Sequence, residues 1–445
     1  MTRGRICRKK VGVELNGEFE MTLNRREFLI STTAAAFTRP AEAARSTDRL
    51  EREPLGERSA RDERPLDGGI FPASVRADFP IASAQTYLNS AAIHPLSVPA
   101  SRAFERYVDF RLHGAGEGRR DFDNDQQIDL KRRFAQLIGA KGPDEIAFVQ
   151  NTSDGENIVV MGMDLPKKGG NVVLDELHFE TSLYMYKSLE ARGLQLRIVK
   201  HRNWSIDIED MARAIDGNTR LVSMALVSNV NGYLHDARAI ADLAHARGAY
   251  LYADMVQAAG AVPIDVRAMG IDFGTAATYK WLMGERGFGF LYVREDLQGT
   301  VVPTTRYGHR QIANFDRVGV TWEPLPGAAK YETGTFPNSL ALVAAESLRY
   351  IEKLGLNNIR AHARMLTNRL QTELPAKGYR SVTPKGNETP IVAFELNDAA
   401  ATAKKLKDAN IAATIIASEK RLRLSVSVFN NQQDIDRVIQ ALSLA

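Results

Sequence analysis

One cysteine, Cys7, is the only thiol in 445 residues. An intrachain disulfide is therefore excluded, and so is a cysteine nucleophile in the folded body. Charge of one sign is missing too. The 58 Lys and Arg stand against 54 Asp and Glu, a formal net charge of +4, spread without a basic stripe, which argues against a nucleic-acid partner. The eight histidines show no HExxH or other tight ligand spacing, so no protein-borne metal site is expected. No apolar run approaches the roughly 20 residues of a transmembrane helix, and no repeat of about 20 to 50 residues recurs. What is present is a chain 44% hydrophobic, long enough for one large domain and a smaller one.

The first 44 residues carry an address. "LNRREFLISTTAAAF" places Arg25 and Arg26 before Phe28-Leu29 and a short apolar segment, followed by "PAEAA", a small-residue stretch that suits a peptidase. This resembles a twin-arginine export signal, and Met21, just before it, is a candidate start. The expected location is periplasmic, through the twin-arginine translocase, or cytoplasmic if the segment does not function. Residues 45–69 are charged, hold Pro and Gly, lack aromatics, and read as a flexible linker.

From about 145 to 293, β-rich runs (EIAFV, NVVLDE, LQLRIV, LVSMALVS, AYLYADM, FGTAATY, FGFLYV) alternate with helix-period segments such as "TSLYMYKSLEARG" and "DARAIADLAHARG". In the last of these, Asp236 is placed to cap the first turn and Gly248 to end the last. Such alternation predicts βαβ units, an α/β fold with a mostly parallel sheet covered on both faces. After about 340, two long helices lead to PIVAFEL, LRLSVSVF and a closing helix. The expected division is a large domain over 70–335, with an N-terminal arm, and a small α+β domain over 336–445.

Ligands of parallel α/β sheets bind beyond the carboxyl ends of the strands, and four strand ends here carry chemistry. Asp254 ends "AYLYAD", Asn229 follows "LVSMALVS", Thr152 and Ser153 follow "EIAFVQ" and open a helix, and Lys280 follows "FGTAATY" between two aromatics. A lysine is rarely buried unless something pairs or reacts with it. Singly, Asp254 is a helix cap and "NTSDG" an ordinary turn. Together they supply an amine for a Schiff base, an acid for a pyridine nitrogen, and hydroxyl and N–H groups for a phosphate, the chemistry of pyridoxal phosphate.

The motifs "YLNSAAIHPLS", "FVQNTSDGEN", "VSNVNG", "ADMVQAAG", "TYKWLMGERGFGFLYV", "YETGTFPN" and "LRLSVSVFNNQQDID" stand in the order of the class V aminotransferase family of fold-type I pyridoxal-phosphate enzymes, which the chain resembles over nearly all of residues 85–443. That family includes cysteine desulfurases, kynureninases and isopenicillin N epimerases. The resemblance implies a seven-stranded, mostly parallel sheet with a smaller C-terminal domain. It implies that Lys280 binds the cofactor and shuttles protons and that Asp254 contacts the ring nitrogen. Gln257 and Asn229 would reach the ring oxygen or the Schiff-base region. Thr152, Ser153 and Thr278 would hold the phosphate, and Gly334 and Thr335 the partner's phosphate in a homodimer. Arg423 matches the clamp for the substrate α-carboxylate, where a planar fork suits a carboxylate. Phe179 is preferred as the ring-stacking residue, with His178 as the alternative.

The pattern breaks in two places. A desulfurase has a mobile cysteine before the position of Arg423, where this chain reads "IAATIIASEKRLRL", so persulfide transfer is not expected. Tyr279 replaces the histidine that desulfurases carry before the lysine, and Ala277 replaces a phosphate-binding serine, with Thr275 and Thr278 as substitutes. In "RYGHRQIANFDRVGVTW", Arg306, His309 and Arg310 are candidates for a polar or acidic substrate group. Transamination, racemisation or epimerisation, β-elimination (C–S lysis included) and decarboxylation all stay open. The exported enzymes that modify a side chain of the siderophore pyoverdine combine this fold with such a signal, which makes a periplasmic tailoring enzyme the alternative. A non-catalytic binding protein with this fold would be expected to have lost the lysine or the aspartate.

Overall fold

The structure, a computed structural model, describes residues 69–116 and 121–443. Cys7, the export-type segment and residues 45–68 of the linker lie outside the described residues.

The central sheet contains β1 (Ile146–Val149), β2 (Asn171–Asp175), β3 (Gln195–Val199), β4 (Thr219–Ala225), β5 (Tyr250–Asp254), β6 (Phe273–Ala277) and β7 (Gly289–Val293). Their order is β1-β7-β6-β5-β4-β2-β3. β7 runs antiparallel to both its neighbours, whereas the β6–β5–β4–β2–β3 pairs are parallel. Six carboxyl ends therefore share one edge. The seven β-rich runs all became these strands; β-branched or aromatic residues occur in each, and all but the edge strand β3 are largely buried. Along β2, Val173 faces one apolar cluster while Val172 and Leu174 face another on the opposite side, as a period of two dictates.

Helices follow the strands. α1 (Thr152–Gly162) follows β1, α2 (Glu180–Leu189) follows β2, and α3 (Ala237–His245) precedes β5. Asn151 caps α1 by accepting from Asp154 N, and Asp236 caps α3 by accepting from Ala239 N at 3.0 Å. Gly248, at φ +74°, turns the chain out of α3 into β5.

The second layer is a three-stranded antiparallel sheet of β8 (Ile391–Glu395), β10 (Arg421–Ser425) and β9 (Thr414–Ile416), with β10 in the middle. Leu422 and Leu424 point into a separate core with Val392, Phe394, Leu366 and Val438. The arm at residues 71–97 packs against this C-terminal part. Thr86–Tyr87 pairs with Ile411–Ala412, Ala91 N donates to Ser425 Oγ at 2.9 Å, and Arg76 and Asp434 form an ion pair at 2.7 Å. The same arm touches the Lys280 turn, where His94 N donates to Tyr279 O at 2.9 Å, so it ties the two sheets together at the site.

Candidate active site

Lys280 lies in the turn after β6, only 7% exposed. Its Nζ stands 5.8 Å from the Phe179 ring centroid and 5.5 Å from that of Tyr279 and takes no hydrogen bond from the described residues. Burial pulls this amine down to about 8; Asp254 opposes the shift and Arg423 adds to it. An amine held this way has a substantial neutral, nucleophilic fraction near neutral pH.

Asp254 ends β5, opposite Thr275 in the register, and is 4% exposed. Burial raises its carboxyl above the ordinary value, against the Val256 N–H at 2.9 Å and the charge of Lys280. Acid and amine thus sense each other's charge from neighbouring strand ends.

Next to Lys280 opens a cavity of about 550 Å³ lined by Phe179, Asn229, Tyr279, Arg421 and Arg423 among others. Arg423 donates to Asn229 O at 2.8 Å and to Thr414 Oγ1 at 3.2 Å. Burial and the neighbouring Arg421 lower its guanidinium to about 10. Asn229 Oδ1 and Arg423 Nε are buried without a hydrogen-bond partner. Unpaired polar atoms of this kind are costly, and they fit a polar ligand.

Phe179 and His178 part ways. Phe179 N donates to His178 Nδ1 at 2.7 Å, which leaves the ring proton on Nε2, 3.0 Å from Ser223 Oγ. His178 is anchored to the sheet and its imidazole is pushed down to about 4 by burial. Of these two, Phe179, half-buried, has the ring that Lys280 Nζ faces at 5.8 Å.

At α1, the Thr152 and Ser153 hydroxyls make no hydrogen bond to the described residues, nor do their backbone N–H groups, whereas Asp154 N is taken by the Asn151 cap. Gly155 lets α1 approach β6, since a β-carbon there would lie 2.4 Å from Thr275 Cγ2. A hollow of about 310 Å³ near α1 is lined by Asp154, Arg306, Gly334 and Thr335. Asp154 and Arg306 form an ion pair.

Other sequence candidates are engaged elsewhere. Gln257 donates to Ala91 O at 3.0 Å and accepts from Trp281 Nε1 at 2.8 Å, so both ends of its amide lock the arm to the lysine turn. The Thr278 hydroxyl faces the carbonyls of Glu285 at 2.6 Å and Phe288 at 3.0 Å, inside its own hairpin. Thr275 Oγ1 pairs with Tyr252 Oη at 2.5 Å, so neither threonine hydroxyl is free as a substitute for the missing serine. His309 and Arg310 do not line the Lys280 cavity within one chain. His309 is exposed. Arg310 sits 4.4 Å from the Phe336 ring centroid and bonds to Gln127 at 2.7 Å.

Three features escaped the sequence reading. Arg421 lines the cavity two residues before Arg423, a spacing that period-two strand geometry places on one face. His201 and Trp204, with rings stacked at 4.5 Å, also line the cavity. Glu156 is buried beside Asp254 and accepts from Ser182 Oγ at 2.7 Å and Ser223 Oγ at 3.1 Å. Burial pushes its carboxyl up to about 7, the two serines opposing and Asp254 adding. Nothing local in "TSDGENIVV" distinguishes that glutamate from a solvent-facing one.

The sequence profile of the family described as aminotransferase class-V matches residues 124–438. A protein of Methanothermobacter thermautotrophicus described as a probable cysteine desulfurase is 30% identical over 331 residues, 73% of this chain and 81% of its own. YcbU of Bacillus subtilis, an uncharacterized aminotransferase, is 26% identical over 84% of this chain and 98% of its own. Among solved structures, the apo cysteine desulfurase of Thermococcus onnurineus matches with a TM-score of 0.74 at 21% identity, covering 85% of this chain and 98% of that one. The cystine C–S lyase C-DES, solved with its product cysteine persulfide, matches with a TM-score of 0.75 at 19% identity, covering 82% and 99%. At these identities the structural likenesses establish the fold.

Proposed function

The chain belongs to the class V aminotransferase family and is a pyridoxal-phosphate-dependent enzyme, and from that premise we propose that it acts at Cα of an amino acid or amino-acid-derived substrate, with Lys280 as the reacting amine. The observation that carries this reading is the lowered amine of Lys280, facing Phe179 and sharing one site with Asp254 and Arg423.

The residues fit the cofactor on their own chemistry. Asp254 would hold the ring nitrogen, Phe179 would cover the ring face, and Asn229, with its orphaned Oδ1, would meet a polar ring substituent. Thr152 and Ser153 at the start of α1 would hold the phosphate. When bound, pyridoxal phosphate supplies an electron sink for a bond broken at the substrate's Cα. Arg423 orients the substrate by its α-carboxylate through a two-pronged contact. Lys280, part of it neutral as pH nears its lowered value of about 8, accepts and returns a proton at Cα. Phe179, Tyr279 and the arm at 91–94 limit water around that amine.

A persulfide-forming desulfurase does not fit, although curated relatives carry that name. The turn between β9 and β10 reads Ala417-Ser418-Glu419-Lys420, and the chain's one cysteine is Cys7. Transamination, epimerisation and C–S lysis need no such thiol, and a screen of amino acids with product analysis separates them. An exported tailoring enzyme for a peptide or siderophore side chain is the second reading, favoured by the Arg25-Arg26 segment. Its test is a reporter fused after residue 44, which should reach the periplasm and stop doing so when Arg25-Arg26 becomes Lys-Lys. Gly334 and Thr335, exposed beside the α1 hollow, support a homodimer in which each copy completes the other's phosphate site. Sedimentation of the purified protein tests it.

A further inference from the structure

Arg421 joins Lys280 and Arg423 as a further cation in the same cavity, and the proposed catalytic set does not use it. The alternation of β10 sends Leu422 and Leu424 into the C-terminal core and puts Arg421 and Arg423 on the other face, with Thr414 and Ile416 of β9 beside them on the cavity wall. The two guanidinium groups are close enough for Arg421 to lower Arg423. Arg421 is itself lowered, by burial, against the charge of Glu419.

The partners of Arg421 are few. Its side chain is 8% exposed, and its ion-pair partner is Glu419, a turn residue 49% exposed. Arg421 Nε is buried without a hydrogen-bond partner. A guanidinium has five donors, and burying it with one solvent-facing carboxylate leaves most of them unused. Arg423 has the same orphaned Nε, so each of the two guanidinium groups on this strand face has a buried donor without an acceptor.

The other charges on the cavity wall do not neutralise this pair. Glu176 receives Lys200 Nζ at 3.0 Å and lies 3.7 Å from His201 Nε2. Glu180 is exposed at the rim. The cavity wall thus carries three basic side chains, Lys280, Arg423 and Arg421.

We propose that Arg421 receives a second carboxylate, so that the substrate is an amino-acid-type compound with an acidic group at the far end of its side chain. Residues two apart on a strand are about 6.6 Å apart, a separation that suits a short dicarboxylate lying along β10. Glu419 shows what the seat accepts: it is a carboxylate already on that guanidinium, and its half-exposed side chain can turn to solvent when another carboxylate arrives. This assignment rests on the reading of Lys280 and Arg423 given above.

The test titrates the holoprotein with glutarate and with butyrate by calorimetry. Glutarate should bind about tenfold tighter than butyrate, and Arg421→Gln should abolish that preference while butyrate affinity stays within about twofold. Glu419→Gln, on an exposed turn that does not endanger folding, should widen the preference by removing the competing carboxylate. Equal affinities in the parent protein, a preference that survives Arg421→Gln, or a Glu419→Gln protein with an unchanged ratio overturns the proposal. Borohydride reduction with peptide mapping is run alongside. Cofactor fixed on Lys280 without a glutarate preference sinks this inference alone, whereas cofactor absent from Lys280 sinks the reading beneath it.

Discussion

Gly260 and Trp281 meet backbone to backbone. With φ +88° at Gly260, a β-carbon there would lie 2.3 Å from the Trp281 carbonyl oxygen. The turn after β5 thereby supports the turn after β6 one residue beyond Lys280. Gly260→Ala adds a methyl group where backbone cannot yield and strains a left-handed position, a loss of about 1 to 3 kcal/mol. Thermal unfolding should show a lowered midpoint, and cofactor capture should slow. A variant as stable as the parent would mean the two turns are not interlocked.

The buried amine gives a pH signature in the cofactor-free protein. Lys280 is held at about 8 in the folded state, against an ordinary 10.4 or so in the unfolded chain. Between these values the unfolded chain binds the extra proton, so folding stability rises with pH across that window. Below about 8 the amine is charged in both states and the burial penalty is fully present. The rate of cofactor capture, which needs the neutral amine, should climb through the same value and level off. Lys280→Ala should lose the borohydride-fixed label and the pH dependence together, and a flat capture profile in the parent protein counts against the assignment.

How much of this was readable beforehand depends on how local each signal is. The strands were legible because each is a short, branched run, most of them buried, and the carboxyl-end rule then pointed to Asn229, Asp254 and Lys280 without coordinates. Gln257 and Thr278 were assigned to the cofactor by position in a motif, yet their hydrogen bonds go to Ala91, Trp281 and the 278–288 hairpin. A motif fixes where a residue stands but not which neighbour reaches it first. Arg421 was readable in principle from its spacing to Arg423. Glu156 was not, because its burial depends on Ser182 and Ser223 arriving from two other elements.

Glu156 makes a second pH prediction with the opposite slope. Its carboxyl stands near 7 when folded, above the ordinary 4.3 or so of an unfolded glutamate. The folded state therefore holds a proton that the unfolded chain releases, and this contribution, full at acid pH, is lost as pH rises to about 7. Glu156→Gln keeps a neutral group for the two serines and removes the titration. Its unfolding midpoint should match the parent near pH 5 and exceed it near pH 8. Parallel curves would show that the acid is not held protonated beneath the site.

Asp254 offers the most direct separation of chemistry from folding. Its Oδ1 accepts from Val256 N at 2.9 Å, a bond that an asparagine oxygen can also accept, so Asp254→Asn should fold with a near-parental midpoint. What the amide cannot do is carry a negative charge against a protonated ring nitrogen. Losing that electrostatic partner should lower kcat/KM by on the order of 100-fold or more, with the deficit in kcat, because Arg423 still holds the substrate. The acid limb of the parent profile should vanish as well. Burial raises this carboxyl above its usual range while the charge of Lys280 opposes the shift, so parental activity should fall as pH drops through the titration of this acid. An Asp254→Asn enzyme of nearly full activity, or one that keeps the parental acid limb, would place the decisive charge on another residue, with Glu156 the next acid to substitute.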